Sequence, residues 1–359
     1  MVNKGGISIE EMRKLLNKKA GMTVAHNLKE ENPTEVTEWI PTGSHWLDSI
    51  ICRGQRAGIP VGKVTEIAGL EATGKSYMAA KIAANAQKMG ITVAYFDSES
   101  AIDPSFLENA GCDVENLIYV QAQSVEMVLE SIEEFLKTGG KFLFVWDSLA
   151  LTPSINDVEG DFNPMSQMAV KARILAKAMS KLTIPIANTE STFLVLNQLK
   201  TNITRNPNMA LVEPYVTPGG KAMIYAYSLR IWLTGRKSKA SYIQDDNGFR
   251  IGSEVKSTLK KSRFGTQGRQ ATFKILWGDE VRILDEESWL EAIKASEHIT
   301  IKGAWYSLDM GNGEVQKFQP GRWMEKMKDE TFRARVLEVM DQHVVQNFKA
   351  RQGNPEDFY

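Results

Sequence analysis

The chain has 359 residues, a formal net charge of −1, 43% hydrophobic and 24% charged residues, which is the composition of a globular protein with one large core and smaller modules. It holds no run of about 18 apolar residues and no charged-then-apolar leader, so a soluble, unexported protein is expected. Two isolated cysteines and four scattered histidines argue against a disulfide framework, a zinc site or a His-based metal site, and the thiols suit a reducing compartment.

Residues 1–38 read as a small N-terminal unit. Ser8 is an N-cap, and Ile9, Met12, Leu15 and Leu16 fall at helical spacing through Lys19. This short amphipathic helix has to dock on the core or on a neighbouring subunit, and residues 30–33 read as a linker. From Trp39 the pattern becomes α/β, with a turn at Thr42-Gly-Ser44 before residues 47–51.

The stretch 64–76 follows, Val-Thr-Glu-Ile-Ala-Gly-Leu-Glu-Ala-Thr-Gly-Lys-Ser, and the rest of the chain is organised around it. It contains G-x-x-x-x-G-K-S (Gly69, Gly74, Lys75, Ser76) between a strand-like run and a helix-like run at 76–89, the context of a phosphate-binding P-loop. Glycines let backbone N–H groups and the helix N-terminus face an anion. Lys75 is placed to reach the β- and γ-phosphates of ATP or GTP, and the Ser76 hydroxyl to ligate Mg²⁺.

Beyond it, strand-like runs at 91–96, 142–146 and 193–196 alternate with helical patterns at 125–136 and 166–182. This predicts a mostly parallel, doubly wound sheet with its ligand beyond the carboxyl ends of the strands. Asp97 and Glu99 end the first run, and residues two apart on an extended segment face one side, so both are expected in the crevice. A carboxylate there activates a water for attack on phosphorus; the plainer alternative is a solvated strand end. Phe142-Leu-Phe-Val-Trp-Asp147 has the Walker B pattern, with Asp147 holding Mg²⁺ directly or through water. Gln198 ends the next strand, where it can sense the γ-phosphate.

Two segments read as functional loops. One is 157–165. The other is 199–218, without convincing periodicity, carrying Lys200 and Arg205 and closing on a hinge-like turn at 217–221. On the helix between them Ile174, Ala178 and Leu182 line one face, and Arg173, Lys177 and Lys181 another. Charge is uneven: residues 255–278 hold Lys256, Lys260, Lys261, Arg263, Arg269 and Lys274 with no acid, and residues 162–212 hold six basic residues against Glu190 alone. Each run alone is as well explained by a solvated face; together, in a P-loop protein, they point to a polyanion. Strands are expected at 229–233, 254–259 and 271–277, and the cations of 260–263 on a turn suit a phosphate in trans. After about residue 285 the pattern becomes a small α+β module, with helices at 287–296, 323–327 and 330–349 and a Gly-Asn-Gly hairpin signal at 311–313.

These motifs together resemble the RecA family of ATP-dependent homologous recombinases across nearly the whole chain. The resemblance is carried by Pro41-Thr-Gly-Ser44, Gly-Leu-Glu-Ala-Thr-Gly-Lys-Ser76, Asp-Ser-Glu-Ser-Ala-Ile-Asp-Pro104, Asp-Ser148, Asn-Gln198, Gly-Gly220 and Gly-Ala-Trp-Tyr-Ser307. The segment Lys261-Ser-Arg263 is similar to that of phage-encoded members such as UvsX. The family implies a RecA-type P-loop ATPase core with a doubly wound, mostly parallel sheet over 39–284, an N-terminal polymerisation helix within 1–38 and a small α+β C-terminal domain over 285–359. It implies a DNA-dependent ATPase that forms helical filaments on single-stranded DNA and catalyses pairing with homologous duplex and strand exchange. ATP and Mg²⁺ are the implied ligands, single-strand-binding and mediator proteins further partners, and the cytoplasm, of a host cell for a phage protein, the location.

By the same resemblance, Glu99 is the water-activating glutamate, with Lys75 and Gln198 beside it. Gly69, Glu71, Ala72, Thr73, Gly74, Lys75, Ser76 and Tyr77 bind ATP, Ser76 and Asp147 hold the metal, and Asp103 and Phe106 take the adenine. Lys261 and Arg263 reach the neighbouring subunit's ATP. DNA binding falls to loops 157–168 and 199–220, through Met168, Arg173, Lys200, Asn202, Ile203, Arg205, Gly219, Gly220 and Lys221, with Ile203 as a wedge between bases. The second loop departs from bacterial members in having Thr201-Asn202 for a Met-Lys pair. Ser180 replaces a basic residue, Ile224 and Tyr225 replace an interface lysine and phenylalanine, and the tail is short and less acidic. A ring helicase of the same fold, a filament that only protects single strands, and a small-molecule kinase remain as rivals.

Overall fold

The computed structural model describes residues 7–21, 23–30, 32–100, 102–160, 168–203, 213–235, 241–277 and 282–346. The chain divides into two compact units, residues 1–37 and 38–359. In the first, helix Ile9–Ala20 is closed by a Ser8/Glu11 capping box and by Gly21 in the left-handed conformation. Its Ile9, Met12, Leu15 and Leu16 are all exposed.

The second unit is built on a large sheet. Six strands run parallel in the order Leu229–Gly235, Val64–Gly69, Thr192–Gln198, Phe142–Asp147, Thr92–Asp97, Leu117–Gln121. Four of them are buried along nearly their whole length, as strands with both faces covered are. Antiparallel strands Arg250–Ser262, Gln270–Leu276 and Arg282–Leu284 extend it from Leu229–Gly235, where alternation reappears in Gln270–Leu276. Helix Val125–Lys137 shows how its face is chosen: Ser124 caps it, and Val125, Val128, Leu129, Ile132 and Leu136 recur at one-turn spacing and are buried.

The structure departs from the sequence reading in several places, among them residues 260–262, which lie on strand Arg250–Ser262 and not on a turn. The edge strand Leu117–Gln121 is not anticipated; as the last strand of the sheet it is half exposed and lacks a buried run. Helix Met168–Asn188 continues six residues past the expected end and through Pro185, because Ile186 prolongs the buried stripe of Leu175, Met179 and Leu182. In the first loop, Ile155–Glu159 is a short helix with a Ser154/Asp157 capping box. In the second, Lys200–Thr201 pairs with Tyr215–Val216, and Gly220 opens helix Gly220–Ala226 where a hinge was expected. Residues 161–167 and 204–212 of these loops lie outside the described residues.

Toward the C-terminus, strands Ile299–Lys302, Trp305–Asp309 and Val315–Phe318 form an antiparallel sheet whose hairpin turns at Gly311 and Gly313, both at positive φ. From helix Glu330–His343, Phe332 packs edge-to-face on Phe318 and Trp323 in a core continuous with that of the main sheet.

The N-terminus of helix His45–Ile51 is fixed by two buried acids. Asp285 accepts from the Ser44 hydroxyl, the His45 and Trp46 amides and the Trp289 indole. Asp48 accepts from the Thr42 amide at 3.1 Å and hydroxyl at 2.7 Å, and burial raises its carboxyl to about 8, with Asp285 adding to the rise. A raised carboxyl contributes stability below its unfolded value that is lost as pH rises toward the folded one. Asp48→Asn keeps the acceptor for Thr42 and removes the titration. Its melting temperature should exceed the parent's at pH about 8 and match it near pH 4, the window set by the raised value; an equal shift at both pH values would contradict this.

Candidate nucleotide site and nucleic-acid loops

The turn after Gly69 leaves little freedom. A Cβ on Gly69 would lie 2.4 Å from Thr73 Oγ1 and 3.1 Å from the Leu233 carbonyl, and one on Gly74 would lie 2.5 Å from Ile275 Cδ1. Ala72 and Gly74 both adopt positive φ, 54° and 77°. The Leu70 carbonyl accepts from Thr73 Oγ1 at 2.8 Å and Lys75 Nζ at 2.9 Å, drawing the loop closed. Helix Lys75–Lys88 starts with no side-chain cap and no acid in its first turn, which leaves its N-terminal amides and dipole for an anion. Glu71 and Ala72 are exposed at the tip.

Three further strands bring the remaining groups to this turn. Asp147 ends its strand with its carboxylate hydrogen-bonded by Ser76 and, at 3.0 Å, by Tyr95. Burial pushes the Asp147 carboxyl up, the two hydroxyls pull it down, and Glu99 and Asp97 push it up again. Burial likewise lowers Lys75, opposed by the charges of Asp147, Glu99 and Glu71. Glu99 is exposed and accepts from Ser148 Oγ at 3.1 Å. Gln198 pairs with Gly69 across the ladder, and the Leu199 amide donates to the Gly69 carbonyl at 3.1 Å.

Asp97 does not join Glu99 in the crevice. Its buried carboxylate accepts from the amides of Glu99 at 2.8 Å, Ser100 at 3.0 Å and Ile102 at 3.2 Å, and from the Tyr119 hydroxyl at 2.9 Å. The side chain turns back on its own backbone, as Asp does when amides follow within reach, and the period-two rule fails because the strand has ended. Asp97 therefore shapes the segment that carries Glu99. Tyr95, Ser148 and Asp97 are the contacts that pattern reasoning misses; the strand register Tyr95↔Val145 and Asp97↔Asp147 brings them together, and no local motif announces it.

Asp103 caps helix Pro104–Ala110 through the Ser105 amide at 2.7 Å, and Phe106 lies edge-on to Tyr77 at 6.4 Å. The structure thus joins residues 103–106 to the P-loop helix. Lys261 and Arg263 are elsewhere: Lys261 pairs with Arg230, whose parallel partner is Glu66, three residues and ~10 Å of strand before Gly69. Both cations lie toward the amino-terminal end of the parallel strands, away from this chain's own P-loop. Both donate to the C-terminal carbonyls of helix Gly220–Ala226, Lys261 to Ile224 at 2.7 Å and Arg263 to Tyr225 at 2.9 Å, a favourable end for positive charge. Burial and Arg263 lower the Lys261 ammonium to about 8.

Of the nucleic-acid candidates, Lys200, Arg173 and Lys221 are exposed, and Ile203 is 96% exposed. Asn202 is partly spent on the loop itself, donating to the Glu213 carbonyl at 2.9 Å. Gly219 and Gly220 take positive φ, 109° and 78°, at the mouth of helix Gly220–Ala226. Met168 opens the long helix, while its side chain and all of Arg205 lie outside the described residues.

A tight glycine turn, an acid at the end of a buried strand, an exposed glutamate and a glutamine sit on a sheet of this order, and residues 7–282 match the RecA N-terminal domain. The chain belongs to the RecA family. It is 30% identical to the RecA protein of Thermus thermophilus over 342 residues, 94% of this chain and 96% of that relative. It is 32% identical to RecA of Colwellia psychrerythraea over 79% of this chain and 77% of the relative, and 30% identical to RecA of Streptomyces avermitilis over 79% and 72%. As a RecA family protein it is a nucleotide-binding, DNA-dependent ATPase of recombination and DNA repair. Among the described residues no helix is long and apolar enough to cross a membrane.

Asp97→Asn keeps the shape of the side chain but exchanges one acceptor oxygen for a donor. It should cost about 1–3 kcal/mol and speed hydrogen exchange at the Glu99, Ser100 and Ile102 amides. Unchanged protection there would show that Asp97 does not hold the Glu99 segment.

Proposed function

We propose that this RecA family protein binds MgATP between adjacent copies of itself in a filament on single-stranded DNA, pairs that strand with homologous duplex, and hydrolyses ATP to release it. The observation that carries this reading is the convergence of Lys75, Ser76, Asp147, Glu99 and Gln198 at the carboxyl ends of adjacent parallel strands.

Lys75 binds the β- and γ-phosphates in place of the Leu70 carbonyl it now contacts, and its partial burial strengthens that pairing. The amides of 71–76 wrap the phosphates, and Tyr77, Asp103 and Phe106 frame the base. Ser76 and Asp147 offer a hydroxyl and a carboxylate already in contact, the hard-oxygen pair that Mg²⁺ accepts alongside phosphate oxygens. Among the described residues no cluster of three or more His, Cys, Asp or Glu forms an all-protein metal cage. Mg²⁺ there supplies charge neutralisation of the phosphate oxygens. Glu99 accepts the proton of the attacking water, held in place by Ser148 and by the turn that Asp97 builds. Gln198 contacts the γ-phosphate and stands at the start of the second DNA loop, so loss of that phosphate is felt where the strand is bound.

Lys261 and Arg263 serve the phosphates of the neighbouring copy, which fits their place at the opposite end of the sheet from their own P-loop. In the DNA groove, Lys200, Arg205, Lys221 and Arg173 contact phosphates, Gly219 and Gly220 admit them close to backbone amides, Met168 borders the first loop, Asn202 shapes the second, and Ile203 enters between bases. The division into an N-terminal polymerisation segment, 1–38, an ATPase core, 39–284, and a C-terminal domain, 285–359, belongs to the same proposal.

Two variants test the scheme. Lys75→Ala should lose ATP-dependent binding to single-stranded DNA. Glu99→Gln should keep ATP and DNA binding while turnover falls about a hundredfold or more. Normal ATP-dependent DNA binding by the first, or unimpaired turnover by the second, would contradict the roles given.

A further inference from the structure

Among the described residues, Glu66 and Arg230 form an ion pair in which both side chains are buried, at 0% and 7% exposure. They are register partners on adjacent parallel strands, and Arg230 Nε donates to Glu66 Oε2 at 2.6 Å. The other oxygen, Oε1, accepts from Asn197 Nδ2 at 3.0 Å, from the strand on the opposite side. Each donor makes a second bond. Arg230 Nη2 donates to Thr217 Oγ1 at 2.9 Å, and Asn197 Nδ2 donates to the Pro218 carbonyl at 2.9 Å.

Both arms therefore end on the same short segment, the point where residues 199–218 return to the fold just before helix Gly220–Ala226. The hub is a carboxylate three residues ahead of Gly69. Asn197 immediately precedes Gln198, and its Oδ1 accepts the Gln198 amide at 3.0 Å. Arg230 is held further by the rings of Tyr227 and Trp232, at 5.7 and 5.6 Å. The entry of the loop at Gln198 and its exit at 217–218 are thus both referred to the strand that ends in the phosphate turn.

Stability does not call for charges here. The interior of a parallel sheet is ordinarily apolar, and a buried ion pair replaced by apolar residues of similar volume often leaves a protein as stable or more so. What charges add is a fixed geometry between three strands and a loop end, since each hydrogen bond has one productive arrangement.

We propose that Glu66, Arg230, Asn197 and Thr217 form a positioning clamp that passes the state of the phosphate turn to the exit of the second DNA loop. ATP-dependent tightening on single-stranded DNA requires it. The proposal rests on the reading of residues 199–220 as a DNA-binding loop. It differs from the role given to Gln198, which acts on the loop's entry.

The test compares the parent chain with the double variant Glu66→Leu/Arg230→Met and with Thr217→Val. Each is measured for melting temperature, affinity for a fluorescent ATP analogue, and affinity for oligo-dT with and without ATP. The double variant should melt as high as the parent and bind nucleotide as well, while the gain in oligo-dT affinity on adding ATP falls by about tenfold. Thr217→Val should lose part of the gain; should the double variant not fold, this substitution decides by itself. A clamp that only supports the fold would lower melting and leave the gain intact, which overturns the proposal. An undiminished gain in folded variants overturns the clamp and leaves the recombinase reading standing. No gain in the parent chain overturns both.

Discussion

The Leu70 carbonyl sits where the buried strand Val64–Gly69 gives way to the turn, and it holds Thr73 and Lys75 together. Everything downstream depends on that turn being tight. Gly69 and Gly74 have no room for a side chain against Thr73, Leu233 and Ile275, so the loop is moulded by strands on its own sheet and not only by its glycines. A turn built this way presents the uncapped start of helix Lys75–Lys88 at a fixed height above the sheet, with Lys75 half-buried and poised to exchange a neutral carbonyl for a phosphate.

Charge is then organised by depth. Asp147 is buried and held by Ser76 and Tyr95, Glu99 is exposed on Ser148, and Asp97 is withdrawn into backbone amides. Three acids at two strand ends thereby take three separate settings, and the proposed scheme gives them metal support, water activation and loop construction. Lys261 and Arg263 sit near the opposite end of the same sheet, so in the proposed scheme one sheet carries the two halves of a composite site on opposite ends. A site shared in this way would be complete only when copies stack head to tail, an arrangement that extends into a filament when the rotation does not close.

Much of this is legible in the sequence. The P-loop, the apolar run before Asp147 and the Asn-Gln pair at 197–198 are local signals, and each lies where strand periodicity places it. The alternation rule put Asp97 beside Glu99 because it treats the strand as continuing; the amides of 99–102 were closer partners than solvent. The edge strand Leu117–Gln121 and the pairing of Lys200–Thr201 with Tyr215–Val216 depend on neighbours distant in sequence, which no local window contains. The network of Glu66, Asn197 and Arg230 was not legible for the same reason: the three lie far apart in sequence, and only the strand order brings them together.

The most direct measurement is the rate of MgATP hydrolysis across a protein titration, with and without single-stranded DNA. ATP sites completed by a neighbour on a DNA-ordered filament require turnover per chain that rises cooperatively with protein concentration and is strongly stimulated by the strand. Turnover per chain that is independent of concentration and indifferent to DNA would contradict both the shared site and the role of the loops.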